Sequence, residues 1–173
     1  ASAEQGVSDA KKVVALIDAA IPTAKDYIQK LIDARNGYDS LTKSDQRLVT
    51  NYKDLTTRER GVKPVLKLDN DILALDPSNA RTFISKYQSA EKAYEKLTMS
   101  ERALLVNSEK LLGDLATIYN VVNTINSIKS SSKTFVEETA AARALYNELP
   151  AELAAQVSNL PTLQEHELNV EGG

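Results

Sequence analysis

The sequence predicts an all-α protein built as three tandem three-helix bundles, with one helix shared between units two and three. Three observations predict it. A motif is written three times: YDSLTKSDQRLVTN from Tyr38 to Asn51, YEKLTMSERALLVN from Tyr94 to Asn107, and YNELPAELAAQVSN from Tyr146 to Asn159. Apolar residues within each copy recur at steps of three and four, the period of one helix face. Only six Gly and five Pro punctuate 173 residues, which leaves little room for long loops. Self-similarity at a period of this size marks tandem helical architectures.

Registering the copies on Tyr38, Tyr94 and Tyr146 aligns far more than the motif. Eleven positions earlier stand the aromatics Tyr27, Phe83 and Phe135, followed by the β-branched Ile28, Ile84 and Val136. Four before each tyrosine is an alanine: Ala34, Ala90, Ala142. Three after it is Leu41, Leu97 or Leu149, and eleven after it Val49, Leu105 or Val157. Thirteen after it is Asn51, Asn107 or Asn159, and seventeen after it Leu55, Leu111 or Leu163.

Each unit reads as helices A, B and C. Helix A carries Val14, Ile17 and Ile21 in the first unit and Val121, Ile125 and Ile128 in the third. Helix B carries Tyr27, Leu31, Ala34 and Tyr38, matched by Phe83, Tyr87, Ala90 and Tyr94. Pro22 precedes Thr23-Ala24-Lys25-Asp26, a capping-box pattern for the first helix B. Asp76-Pro77 offers an N-cap with proline at the first helical position for the second. Between B and C the motif supplies its own start signal. Thr42 and Thr98 each stand three before a carboxylate, while Pro150 replaces them in the third copy. Helix C then carries Leu48, Tyr52 and Leu55, matched by Leu104, Ser108 and Leu111.

The units are expected at residues 7–62, 63–119 and 120–166, with a tail at 167–173. Gly61 and Pro64 predict a hinge at the first junction, because proline removes a donor and disfavours helix just before it. From Ser100 to Lys129 there is no proline and Gly113 is the single glycine. Helix C of unit two is therefore expected to run straight into helix A of unit three, and Gly113→Ala to change little. Pro161 is expected to cut the third helix C short. Helices of about 18 residues at ~1.5 Å per residue would make a rod of roughly 80 Å, bent at Gly61–Pro64.

Composition narrows the function. Hydrophobic residues are 42%, charged residues 26% and the net charge −3, which is globular with no basic footprint for nucleic acid. No apolar run approaches the ~20 residues of a membrane span. There is no cysteine, which removes thiol catalysis and disulfides. The opening ASAEQG lacks a charged and apolar signal region.

The segments Ala34-Arg35-Asn36-Gly37-Tyr38-Asp39-Ser40-Leu41-Thr42 and Leu48-Val49-Thr50-Asn51-Tyr52 carry a resemblance. The pattern resembles helical repeats of Gram-positive extracellular proteins, both S-layer-type wall proteins and large secreted glycosidases with repeats beside their catalytic modules. It covers roughly residues 8 to 165 and departs at Glu91, where the other copies have Arg35 and Arg143. The shared-helix arrangement looks spectrin-like. The resemblance implies a spacer or interaction role outside the cell, in a monomeric fragment of a larger protein.

No catalytic constellation is found. The lone histidine, His166, lies in the polar tail, and Asp69-Asn70-Asp71 lacks the glycine and glutamate of a calcium loop. No Gly-rich phosphate loop is present, and neither a metal nor a cofactor is expected. The repeated tyrosines lie on the apolar stripe, which favours core over a sugar-stacking ladder. The repeated asparagines are expected to satisfy backbone groups of a neighbouring turn, with a ligand contact as the other reading. The expected function is a non-catalytic spacer or stalk. The alternative is a module that binds a cell-wall polymer or a protein partner through exposed helix faces.

Overall fold

The computed structural model describes residues 2–172. The protein is all-helical: helix accounts for 74% of it, and there is no strand among the described residues. In chain order the helices are α1 (Ala3–Ala19), α2 (Tyr27–Asp39), α3 (Lys43–Gln46), α4 (Tyr52–Gly61), α5 (Lys63–Leu73) and α6 (Ala80–Lys96). They continue with α7 (Met99–Leu104), α8 (Ser108–Leu112), α9 (Asp114–Ser127), α10 (Phe135–Asn147), α11 (Ala151–Ala154) and α12 (Leu160–Gly172).

Two compact units emerge. One comprises residues 2–70 and 94–106, the other 71–93 and 107–172, so the second sequence repeat is divided between them. In the first unit α1 packs against α2, α3 and α4, and α2 also meets α4. Ala10, Val13, Ile17, Leu31, Ala34 and Leu55 are buried there. In the second unit α9 packs against α10, α11 and α12, and α10 meets α12. Its core holds Ile118, Val122, Ile125, Ala142 and Leu163. Each Val, Leu or Ile among them contributes about 1.5–3 kcal/mol when fully buried. Ile21 and Leu48, read from the sequence as stripe residues, are instead exposed.

The motif copies fold alike at the turn that follows each tyrosine. The backbone N–H of Leu41, Leu97 and Leu149 donates to the carbonyl of Tyr38, Tyr94 and Tyr146 respectively. Thr42 Oγ1 accepts from Asp45 N at 3.1 Å. Thr98 does the same for Glu101, whose carboxylate in turn accepts from Thr98 N at 2.9 Å, a complete capping box. Pro150 holds the position without a side-chain cap.

Several local expectations are corrected. Helix C is not continuous in any copy. It breaks into α3 and α4, α7 and α8, α11 and α12, and each repeated asparagine stands immediately before the second half. The expected capping box at Thr23–Asp26 does not form. Asp26 takes a left-handed conformation (φ 58°) and makes no side-chain cap. Asp76 closes a turn by accepting from Ser78 N at 2.9 Å, which lowers its carboxyl pKa. The cap of α6 is Asn79, whose Oδ1 accepts from Thr82 N.

The helix expected to be shared between units two and three is interrupted at Gly113, which separates α8 from α9. A Cβ on Gly113 would lie 2.7 Å from the Glu109 carbonyl oxygen, so the glycine permits that close approach. Pro161 does not cut a helix. It occupies the second position of α12, where its missing N–H would have had no helical partner. The segment read as a tail from residue 167 continues α12 to Gly172.

Candidate functional site

The repeat-specific polar residues were the site candidates, and the structure shows what each one does. Asn51 and Asn159 sit at equivalent places between the halves of helix C. Asn51 Nδ2 donates to the Val14 carbonyl at 3.0 Å, and Asn159 Nδ2 to the Val122 carbonyl at 2.8 Å, both across 37 positions of chain. The acceptors are mid-helix carbonyls of α1 and α9, not the neighbouring turn the sequence suggested. A carbonyl oxygen has two lone pairs, so each can take this bond beside its helical one. The asparagine thereby ties the break in helix C to helix A. Asn51 also donates to Asp18 Oδ1 at 2.9 Å. The Oδ1 atoms of Asn51 and Asn159 are buried and accept no hydrogen bond from the protein. Asn107 occupies the same place before α8, with the same backbone (φ −108°, against −111° at Asn51).

A second clamp was missed. Arg35 Nε and Nη2 donate to the two oxygens of Glu59 at 2.9 and 2.6 Å. Arg143 makes the same fork with Glu167 at 2.8 and 2.6 Å, again across 24 positions. Bidentate geometry of this kind is the stronger form of ion pair. The hydrogen bond from Arg143 holds the Glu167 carboxyl below the usual range, and Glu167 raises the Arg143 guanidinium. Arg35 is raised for the same reason, the Glu59 bond acting first. A sequence signal existed. The middle copy lacks both members at once, with Glu91 and Leu115 at the registers of Arg35 and Glu59.

The middle copy has an aromatic pair of its own. Tyr87 donates its hydroxyl to the Leu111 carbonyl at 2.9 Å and stacks on Tyr119, ring centres 4.2 Å apart. Burial pushes the Tyr87 hydroxyl up to about 12, with Glu91 and Tyr119 adding to the shift.

Tyr38, Tyr94 and Tyr146 are half-buried near the ends of α2, α6 and α10. A guanidinium covers each ring: Arg35 at 5.7 Å from Tyr38, Arg102 at 4.6 Å from Tyr94, and Arg143 at 5.3 Å from Tyr146. Tyr38 also stacks on Tyr52 at 4.1 Å. Arg102 reaches Tyr94 from the turn of helix α7 and donates to its carbonyl at 3.0 Å. Gln46, at the same register, donates to the Tyr38 carbonyl at 3.1 Å. These cation–aromatic contacts occupy ring surface that a stacking ligand would need.

The predicted hinge residues flank a one-residue interruption. Helix α4 ends at Gly61, Val62 lies between, and α5 begins at Lys63 with Pro64 in its first turn. His166, read from the sequence as part of a polar tail, lies in α12, is half-buried and meets Phe135 edge-on at 5.5 Å. Arg58 occupies the His166 register in the first copy. It donates to the Ile17 carbonyl at 2.7 Å, at the C-terminal end of α1 where a cation is favoured.

One groove of about 510 Å³ lies in the first unit. Pro22, Ala24 and the stretch Asp26 to Gln29 form one wall, and Ala103 to Val106 the other. Among the described residues no group of three acidic, His or Cys side chains is placed to hold a metal ion. No helix there is long and apolar enough to cross a membrane. Comparison with protein-family models, with curated proteins and with solved structures finds no match.

Proposed function

We propose that this chain is a non-catalytic spacer: a run of three tandem, spectrin-like three-helix bundles that separates or displays other domains of an extracellular cell-wall-associated protein. One observation carries the reading. Polar residues shared by two of the copies bond within the chain: Asn51 and Asn159 to helix A carbonyls, Arg35 and Arg143 to glutamates, Thr42 and Thr98 to helix starts. Shared polar groups that bond internally support a mechanical role. The resemblance to Gram-positive wall-protein repeats supplies the setting.

Small-angle scattering tests it. An elongated particle near the ~80 Å expected for three end-to-end bundles supports the spacer; a compact profile overturns it. The second reading is a binding module for a wall polymer or protein partner, favoured by the groove beside Tyr27 and Ile28. Co-sedimentation with isolated wall polymer separates the two. Saturable binding lost on Val106→Asp, at an exposed position of that groove, would favour the binding module.

A further inference from the structure

The first copy carries a row of cations that its own packing does not use. Helix α4 ends Arg58-Glu59-Arg60-Gly61, and α5 follows with Lys63 and Lys67. Arg60, Lys63 and Lys67, with Thr56, Glu59 and Leu66, line a shallow trough of about 480 Å³ on the first unit. All three cations are exposed. Glu59 is the acidic side chain among these, and Arg35 holds both its oxygens, at 2.9 and 2.6 Å. Arg60 and Lys63 form no ion pair among the described residues. The trough is therefore a positive face on a chain whose net charge is −3.

The repeat does not account for these cations. Registered on the tyrosines, Arg60 corresponds to Ala116 and Leu168, and Lys63 to Tyr119 and Glu171. Cationic heads about one helical turn apart, ~5.4 Å along the axis, suit a chain whose anionic groups repeat. The lining has no aromatic side chain, and Leu66, its one large apolar residue, is half-buried. A protein partner would find no buried anchor of the kind that carries most interface energy. Nucleic-acid bases would find no platform to stack on. A flexible phosphodiester chain needs neither, because charge and the release of its counterions hold it. We propose that Arg60, Lys63 and Lys67 form a docking face for a linear polyol-phosphate polymer, a phosphodiester chain without bases. This activity adds to the spacer reading and does not depend on it.

Fluorescence anisotropy of labelled poly(glycerol phosphate), titrated with the whole chain, tests this. Binding should saturate at low salt. Three contacts at ~0.7 counterion each predict that tenfold more salt weakens it ~100-fold. Arg60→Gln and Lys63→Gln should each weaken binding and lower the salt slope by about a third. The double variant should show no measurable binding, while Lys12→Gln, at an exposed cation of α1, should bind as the wild type does. The substituted side chains are exposed, so the helical circular dichroism signal should be unchanged. Oligo-dT of matched phosphate number should bind no tighter, since only its backbone is engaged. Absence of binding at low salt overturns the proposal, as does binding that survives in the double variant. Tighter binding of oligo-dT, or of polyglutamate at matched charge, also overturns it, by assigning the face to nucleic acid or to an acidic protein. Each of these outcomes leaves the spacer reading standing, since that depends on the shape of one chain.

Discussion

At the residue scale the asparagine clamp and the arginine fork make separable predictions. Asn159→Ala removes the bond to the Val122 carbonyl but also a buried Oδ1 that has no partner. The two effects oppose, so the loss should be ~1 kcal/mol, the ordinary net worth of a hydrogen bond. Asn159→Asp keeps the shape but sets a carboxylate against that carbonyl, and should lose more, ~2–3 kcal/mol. Urea melts of the two variants check the order. If Asp is tolerated better than Ala, the amide is not acting as a donor. The Arg143–Glu167 fork gives a pH signature. Glu167 titrates lower when folded, so its contribution is complete above the ordinary glutamate value of about 4.3 and fades as pH falls through the folded value. Glu167→Gln should therefore lower the melting midpoint at neutral pH, and the gap to wild type should narrow as pH falls below the ordinary glutamate range. A gap that persists in acid would show that packing, not charge, holds Glu167.

At the element scale the two junction glycines exchange roles relative to the sequence expectation. A Cβ at Gly61 would meet nothing within 4 Å, and the residue ends α4. Gly61→Ala should be neutral or stabilise by up to ~1 kcal/mol, chiefly by restricting the unfolded chain. A Cβ at Gly113 would press on the Glu109 carbonyl, and backbone there cannot move aside as a side-chain tip would. Gly113→Ala should lower stability by ~1–3 kcal/mol. Thermal melts of the pair decide it, and equal midpoints would mean α8 and α9 relax freely around residue 113. The interruption was hard to read from sequence. Leu111, Leu115, Ile118, Val122 and Ile125 keep helical spacing across it and are all buried. Periodicity reports which face is buried, and a one-residue break that preserves the face leaves no trace in it.

At the scale of the whole molecule, the clamps at Asn51 and Asn159 belong to different compact units and share no partner. Their effects should add. Asn51→Ala with Asn159→Ala should lose the sum of the single losses to within ~0.5 kcal/mol, read from chemical denaturation. A larger coupling would mean that the two clamps interact energetically through structure they share. Far-UV circular dichroism should show the helix content of an all-α chain, with no sheet signal.

What the sequence determined by itself is what depends on local spacing. The all-helical class, the register of the copies, the buried faces through Leu31, Ala34, Leu55, Leu111 and Leu163, and the threonine caps at Thr42 and Thr98 all follow from neighbours a few residues apart. What tertiary structure decided depends on partners far along the chain. Helix C breaks at each repeated asparagine, Asn51 and Asn159 reach carbonyls 37 positions away, and Arg35 and Arg143 reach glutamates 24 positions away. Helical periodicity cannot choose such partners, because several donors share each face. The choice is made when bundle packing brings one buried carbonyl or carboxylate within hydrogen-bond distance, where leaving it unpaired would be costly.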